Sequence, residues 1–253
     1  MVWELHRKML NYCTHIFCQD EASIRLLKDK LNFTNASLSG DTRYDTVLQA
    51  KQLTKELSII NAFKNEELVF IGGSTYAKED EFILNLFNKE ALSELKFIVV
   101  PHDIDINYCQ NLKNRFNNQA ALYSELIGEK EATNYRVLII DKVGLLLQLY
   151  NYADFALVGG GFGKGIHNTL EAAVQGIPVF GGPNWQKSIE VKELQDIDCF
   201  IEVNSAKDLA EKIKTLLKNK AVLLDIKENS KKHFEEKIGA TNKIYKQLSS
   251  IIN

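Results

Sequence analysis

The sequence predicts an α/β fold, a Rossmann-like parallel sheet flanked by helices, and three observations lead there. Short apolar runs such as LVFI (68–71), FIVV (97–100), VLII (137–140) and FALV (155–158) alternate with longer amphipathic segments along nearly the whole chain. The runs are continuous rather than alternating in polarity, as in strands buried on both faces. Nine of the 14 glycines fall between Gly144 and Gly182, and two of the three prolines, Pro178 and Pro183, lie within or just after that stretch, in a strand, loop, helix, strand, loop succession. Right-handed βαβ units in a doubly wound sheet satisfy all three.

In order, the predicted strands are His15–Cys18, Ala36–Ser39, Leu68–Gly72, Lys96–Pro101, Arg136–Asp141, Phe155–Gly159, Pro178–Gly181 and Cys199–Val203. Between them lie helical patterns. Asp20–Leu31 opens on an Asp cap and Thr42–Leu57 on a Thr cap. Lys78–Leu92, Ile104–Phe116, Val143–Tyr152, His167–Gln175, Gln186–Leu194 and Ser205–Lys218 follow, and the tail from Ala221 reads as helix alone. The polar stretch SGDTRYD (39–45) is the nearest thing to a domain seam.

Composition removes several classes. The chain has 253 residues, 45% hydrophobic and 25% charged, ordinary for a soluble globular protein. A net charge of −2 argues against a general nucleic-acid binder, though not against a local basic pocket. Cysteines at 13, 18, 109 and 199 are too scattered for a disulfide scaffold or a paired zinc site. Apolar runs stop short of the roughly 18 residues a membrane-spanning helix needs.

The segment FALVGGGFGKGIHNTLEAAVQGIPVFGGPN (155–184) concentrates the chemistry. A Gly-rich loop feeding a helix offers free N–H groups and suits an anion. It is not a P-loop, because Lys164 is followed by Gly165 instead of Ser or Thr, and no register of GxGxxG fits. That points to Gly161, Phe162, Gly163, Lys164 and Gly165 as an anion loop, with Lys164 either contributing a charge or simply solvated. His167, Asn168 and Glu171 follow at helical spacing and can share a face. The competing readings are a packed His167, a capping Asn168 and a Glu171 that only complements the helix dipole. Two further strand ends belong to the same crevice. Ser74 and Thr75 of GGST are expected in a turn after a strand, and Pro101 and His102 lie at the next strand end. No zinc-like spacing links His102, Asp103 and His167, so no metal is expected.

Together these residues resemble the donor-site segment of the bacterial 3-deoxy-D-manno-octulosonic acid (Kdo) transferases of lipid A synthesis. The Gly-rich loop, HNTLE and GIPVFGGP carry the likeness. So do FCQDEAS, SGDTRYD, GGSTYAKEDE and the PH pair, over about Trp3 to Glu193. The resemblance implies the C-terminal half of a GT-B fold. Residues 1–45 would be a remnant of an N-terminal acceptor domain and linker, and 46–253 the nucleotide-sugar-binding domain. About 150 residues, a typical domain, would then be missing. The catalytic base would lie among them, and the chain alone is expected to be inactive. Val2, Trp3, Leu5, Ile16 and Phe17 would be left exposed or would pair with a second copy of the chain. The implied reaction is inverting transfer of Kdo from CMP-Kdo to a lipid A precursor, without cofactor or metal. The full-length protein would make peripheral contact with the cytoplasmic face of the inner membrane. The alternatives are another GT-B enzyme using a UDP-sugar, or a non-catalytic nucleotide-binding module. The Glu-x7-Glu pair frequent in retaining GT-B enzymes is absent, since Gly163 and Val179 stand eight residues either side of Glu171.

Overall fold

A computed structural model describes residues 2–10, 12–53 and 55–252, without the side chains of residues 2, 3, 251 and 252. The chain divides into two compact units, residues 1–49 with 234–253, and residues 50–233.

The first unit holds two short parallel strands, β1 (Ile16–Cys18) and β2 (Ala36–Leu38), with Ile16 opposite Ala36. Helix Glu21–Leu31 connects them. Asp20 caps it through Ser23 N at 2.7 Å, as its sequence predicts. The unit's last helix, Ala240–Ile252, is tied in by Asp45, whose carboxylate accepts from Gly239 N at 2.6 Å and Thr241 N at 2.7 Å. Tyr44 packs edge-on against Phe234 at 5.1 Å. These contacts give the tail a place beside the first strands, where the sequence assigned everything after residue 45 to one domain. Of the residues expected to lack cover, Leu5 is exposed, whereas Ile16 and Phe17 are half-buried. The side chains of Val2 and Trp3 lie outside the described residues.

The second unit is built on a seven-stranded, all-parallel sheet: β3 (Leu68–Thr75), β4 (Leu95–Pro101), β5 (Ala120–Leu122), β6 (Val137–Ile139), β7 (Phe155–Val158), β8 (Val179–Gly181) and β9 (Phe200–Glu202). Their spatial order is β5-β6-β4-β3-β7-β8-β9. The continuous apolar runs sit in its central strands. Val69, Phe70, Ile71, Phe97, Ile98, Val99, Ala156 and Leu157 are fully buried, which is why they lack an alternating pattern. Arg136 bridges the lower ends of the sheet by donating to the carbonyls of Phe87, Leu92 and Leu95.

Several elements depart from expectation. β5 was not foreseen, because its three residues AAL carry little β-propensity and gain their place from pairing with β6. The helix expected over Thr42–Leu57 ends at Gln52, and a separate helix spans Ser58–Lys64. Instead of a helix over Val143–Tyr152, Leu146–Leu149 forms one turn followed by a 3-10 turn at Tyr150–Tyr152.

Candidate functional site

The strand order reverses between β3 and β7. β4 lies on one side of β3, and the chain returns to lay β7, β8 and β9 on the other. A crevice opens beyond the carboxyl ends of strands at such a switch point. Gly72–Thr75 form one lip and the loop after β7 forms the other.

On the first lip, Gly72–Thr75 is not the turn expected. It forms the last four residues of β3. Side chains explain the two glycines, since a Cβ on Gly72 would meet Ile83 and Thr75, and one on Gly73 would meet the Tyr150 hydroxyl. Ser74 adopts φ +51°, and the pairing with β4 slips there so that Thr75 faces Pro101. Such a bulge re-aims the chain at a sheet rim. Thr75 is buried, and its carbonyl accepts from His102 N at 2.9 Å, which pins His102 beside the end of β3. Pro101 is buried as the last residue of β4.

On the second lip, Gly159 N donates to Gly73 O at 2.9 Å, and the loop then folds on itself. Gly163 N and Gly165 N both donate to Gly160 O, at 2.9 and 3.3 Å. Gly160 at φ +87° and Gly165 at φ +141° supply backbone shapes that other residues resist. The Gly182–Asn184 segment braces the loop. Asn184 N donates to Gly161 O at 2.8 Å, Asn184 Nδ2 to Gly163 O at 2.9 Å, and Ile166 N to Asn184 O at 3.1 Å. Phe162 packs in a tilted contact on Phe82, centroids 4.8 Å apart, and so anchors the loop, while Gly163 and Lys164 are exposed. The N–H groups of Gly161, Phe162 and Lys164 find no backbone acceptor among the described residues.

The helix expected from His167 is shorter, Leu170–Ala173. Its early N–H groups are engaged elsewhere: His167 N donates to Gly159 O at 3.0 Å, and Leu170 N to Asn168 Oδ1 at 3.2 Å. Asn168 is therefore a local cap, and its Nδ2 also orients Glu171 by donating to Oε1 at 2.9 Å. Burial holds the half-buried Glu171 carboxyl above its ordinary range, partly offset by that bond. The buried Tyr150 hydroxyl, which lies against Gly73, is pushed up by burial first and by Glu171 second.

Three rings close the arrangement. His102 and His167 stack at 4.3 Å with planes 19° apart. Tyr76 lies 4.9 Å from His102 and 5.6 Å from His167, and its hydroxyl is 3.0 Å from His167 Nε2. Desolvation of the half-buried His167, and then the neighbouring His102, keep its imidazole below the usual range. The Tyr76 hydroxyl is raised by desolvation, then by Asp103 and Glu79.

Tyr76 and Glu79 were not singled out from the sequence. Glu79 is 1% exposed; Oε1 accepts from Gly160 N at 2.9 Å and Oε2 from Tyr76 N at 3.2 Å. Its place three residues past Tyr76, at the start of helix Ala77–Phe87, is the spacing of a reciprocal cap. That signal was legible, but the bond to Gly160 was not. Among the described residues, no three His, Cys, Asp or Glu side chains gather to hold a metal ion. Leftover N–H groups and two imidazoles suit an anion. The Glu171 carboxyl suits hydroxyl donors.

No family model matches the chain. Among curated proteins, it is 31% identical over 208 residues to the 3-deoxy-D-manno-octulosonic acid transferase of Haemophilus influenzae, covering 79% of this chain and 46% of that one. Over most of its length the chain is therefore similar to Kdo transferases. A bifunctional glycosyltransferase/methyltransferase of Fusobacterium nucleatum is 28% identical over 222 residues, covering 84% of this chain and 34% of that protein. The chain thus spans less than half the length of these curated relatives. Among solved structures, the C-terminal CMP-Kdo binding domain of WaaA from Acinetobacter baumannii superposes with a TM-score of 0.57 at 20% identity. That match covers 76% of this chain and 98% of the WaaA domain. The fold is accordingly that of the C-terminal half of a GT-B architecture.

Proposed function

We propose that the chain is the donor-binding part of an inverting glycosyltransferase that moves Kdo from CMP-Kdo to a lipid A precursor. The observation that carries the reading is the convergence, at the strand-order reversal, of the Gly161–Gly165 loop with His102, His167 and Glu171, in a chain similar to Kdo transferases. The leaving CMP carries the developing negative charge. Fixed N–H groups at Gly161, Phe162 and Lys164, with the imidazoles of His102 and His167, are placed to stabilise it before the bond breaks. Glu171, held by Asn168, accepts from ribose hydroxyls. Ser74 and Thr75 line the opposite lip. None of these steps needs a metal or cofactor. The acceptor is a lipid A precursor at the cytoplasmic face of the inner membrane, reached by peripheral contact. None of the described helices is long and apolar enough to cross a membrane.

Calorimetric titration of CMP, UMP and AMP into the wild type and Glu171→Ala tests this. CMP is expected to bind best, and Glu171→Ala to bind it about 10- to 100-fold more weakly, the size of a hydrogen bond to a charged group. Preference for UMP would move the assignment to a UDP-sugar enzyme. Equal binding of all three would leave a general nucleotide-binding module.

A further inference from the structure

We propose that Glu79 is a positioning residue for the anion loop, acting through Gly160 and not by touching the ligand. The idea deepens the reading above, because the loop it holds is the one assigned to the donor phosphate. Helix Ala77–Phe87 begins beside the first lip, and its third residue is Glu79. One carboxylate oxygen serves the helix in the ordinary way by accepting from Tyr76 N at 3.2 Å. The other reaches 81 residues along the chain to Gly160 N at 2.9 Å. Gly160 is the pivot of the loop. It takes φ +87°, and its carbonyl accepts from both Gly163 and Gly165.

Four features set this carboxylate apart from a simple cap. It is almost wholly buried, so water does not replace the Gly160 bond if it is lost. It fixes the peptide from which the loop folds back, and therefore the direction of the unused N–H groups at Gly161 and Phe162. The residue whose N–H it holds on the other side, Tyr76, bears the ring that meets His102 and His167. One side chain thus ties both lips of the crevice. Phe162 on Phe82 holds the loop to the same helix from the far side, so a lost Gly160 bond loosens the loop without freeing it.

The cap and the strut can be separated by reach. Glu79→Asp keeps an acceptor for Tyr76 N but is one carbon too short for Gly160. Glu79→Gln keeps the reach and loses one of the two acceptors. The readouts are thermal stability, hydrogen exchange at the Gly160 amide, and CMP affinity by calorimetry, all on the full chain. In Glu79→Asp, thermal stability is expected to fall only by the cost of one buried N–H left unsatisfied. Exchange at Gly160 should quicken and CMP affinity fall, each by about 10- to 100-fold. Glu79→Gln should lose less affinity than Glu79→Asp. Unchanged exchange and affinity in Glu79→Asp would overturn the proposal. So would losses that merely follow a fall in stability in both variants. If the wild type binds no CMP, the donor assignment fails, and exchange at Gly160 still decides the role of Glu79. If Glu79→Asp does not fold, the wild type decides: a scalar coupling across the hydrogen bond from the Gly160 nitrogen to the Glu79 carboxyl carbon supports the strut, and its absence refutes it.

Discussion

The two glycine stretches at the crevice look alike in sequence and solve different problems. Gly72 and Gly73 lie within β3 just before its bulge at Ser74, and what excludes a larger residue there is side chains, those of Ile83, Thr75 and Tyr150. In the loop after β7 the obstacle is backbone. A Cβ on Gly161 would stand 2.6 Å from Gly182 N, and one on Gly159 would run into the Ser74 carbonyl. Side chains can rotate away, whereas a braced backbone cannot. The first stretch is therefore a packing solution that other residues can compensate. The second fixes the shape of a binding surface.

The largest effect should come from breaking the second stretch. Gly161→Ala forces apart two loops that are hydrogen-bonded through Asn184. It should cost about 3 kcal/mol of stability, the upper end for overpacking, and reduce CMP affinity more than 100-fold, given that about 1.4 kcal/mol is tenfold. Denaturant melts and calorimetry on the same sample measure both. Near-native CMP binding would mean that the loop's shape does not govern the site.

The first stretch should yield less and should be rescuable. In Gly72→Ala the nearest obstacle is the tip of Ile83. We expect a loss of about 1–2 kcal/mol, partly restored by adding Ile83→Val, which deletes that tip. CMP affinity should change far less than in Gly161→Ala. A double variant no more stable than Gly72→Ala would show that the tip of Ile83 does not set the requirement and would pass it to the Thr75 methyl, 2.9 Å from the added Cβ.

The same contrast explains what was legible in the sequence. Buried strands announce themselves through local composition, so all but β5 were found within a few residues. The Gly-rich loop was legible because glycine in a run is itself a signal. The helix over His167–Gln175 was overestimated because its pattern is helical, while the N–H groups of Ile166 and His167 are claimed by Asn184 and Gly159. GGST reads as a turn for the same reason: glycine suggests a bend, and only the neighbours Ile83 and Tyr150 reveal a strand. The role of Glu79 is not legible in the sequence because its decisive partner, Gly160, is local in space but remote in the chain.

Glu171 offers a smaller effect that bears on the loop side alone. Its carboxyl titrates above its ordinary 4.5 in the folded chain because of desolvation. The folded state therefore holds the proton to higher pH than the unfolded state does. Stability falls as pH rises from the unfolded value through the raised folded one, and it stays reduced at neutral pH. Glu171→Gln removes this burden, so its Tm at pH 7 should exceed wild type while CMP affinity falls about 10-fold. A lower Tm together with weaker binding would make Glu171 a structural residue instead.

The smallest expected effect probes the rings where the two lips meet. His102 stands at the end of β4 and stacks on His167, which follows the loop. His167 titrates below its ordinary 6.5, first through desolvation and second through His102. Because a base with a depressed folded value must be charged at a cost, the chain loses stability as pH falls through 6.5 toward that value. His102→Ala removes the second cause and opens the ring to water, so the midpoint of His167 should rise while the acid-side loss of stability shrinks. Desolvation from the Gly160 turn persists, so recovery to the ordinary value should be incomplete. Ring-carbon NMR titrations of wild type and His102→Ala read this directly. A midpoint that stays put or drops would mean that the stacked pair does not share its charge. The two lips would then be joined without that coupling, through Gly159 N to Gly73 O and through the Glu79 carboxylate that accepts from Gly160 N and Tyr76 N.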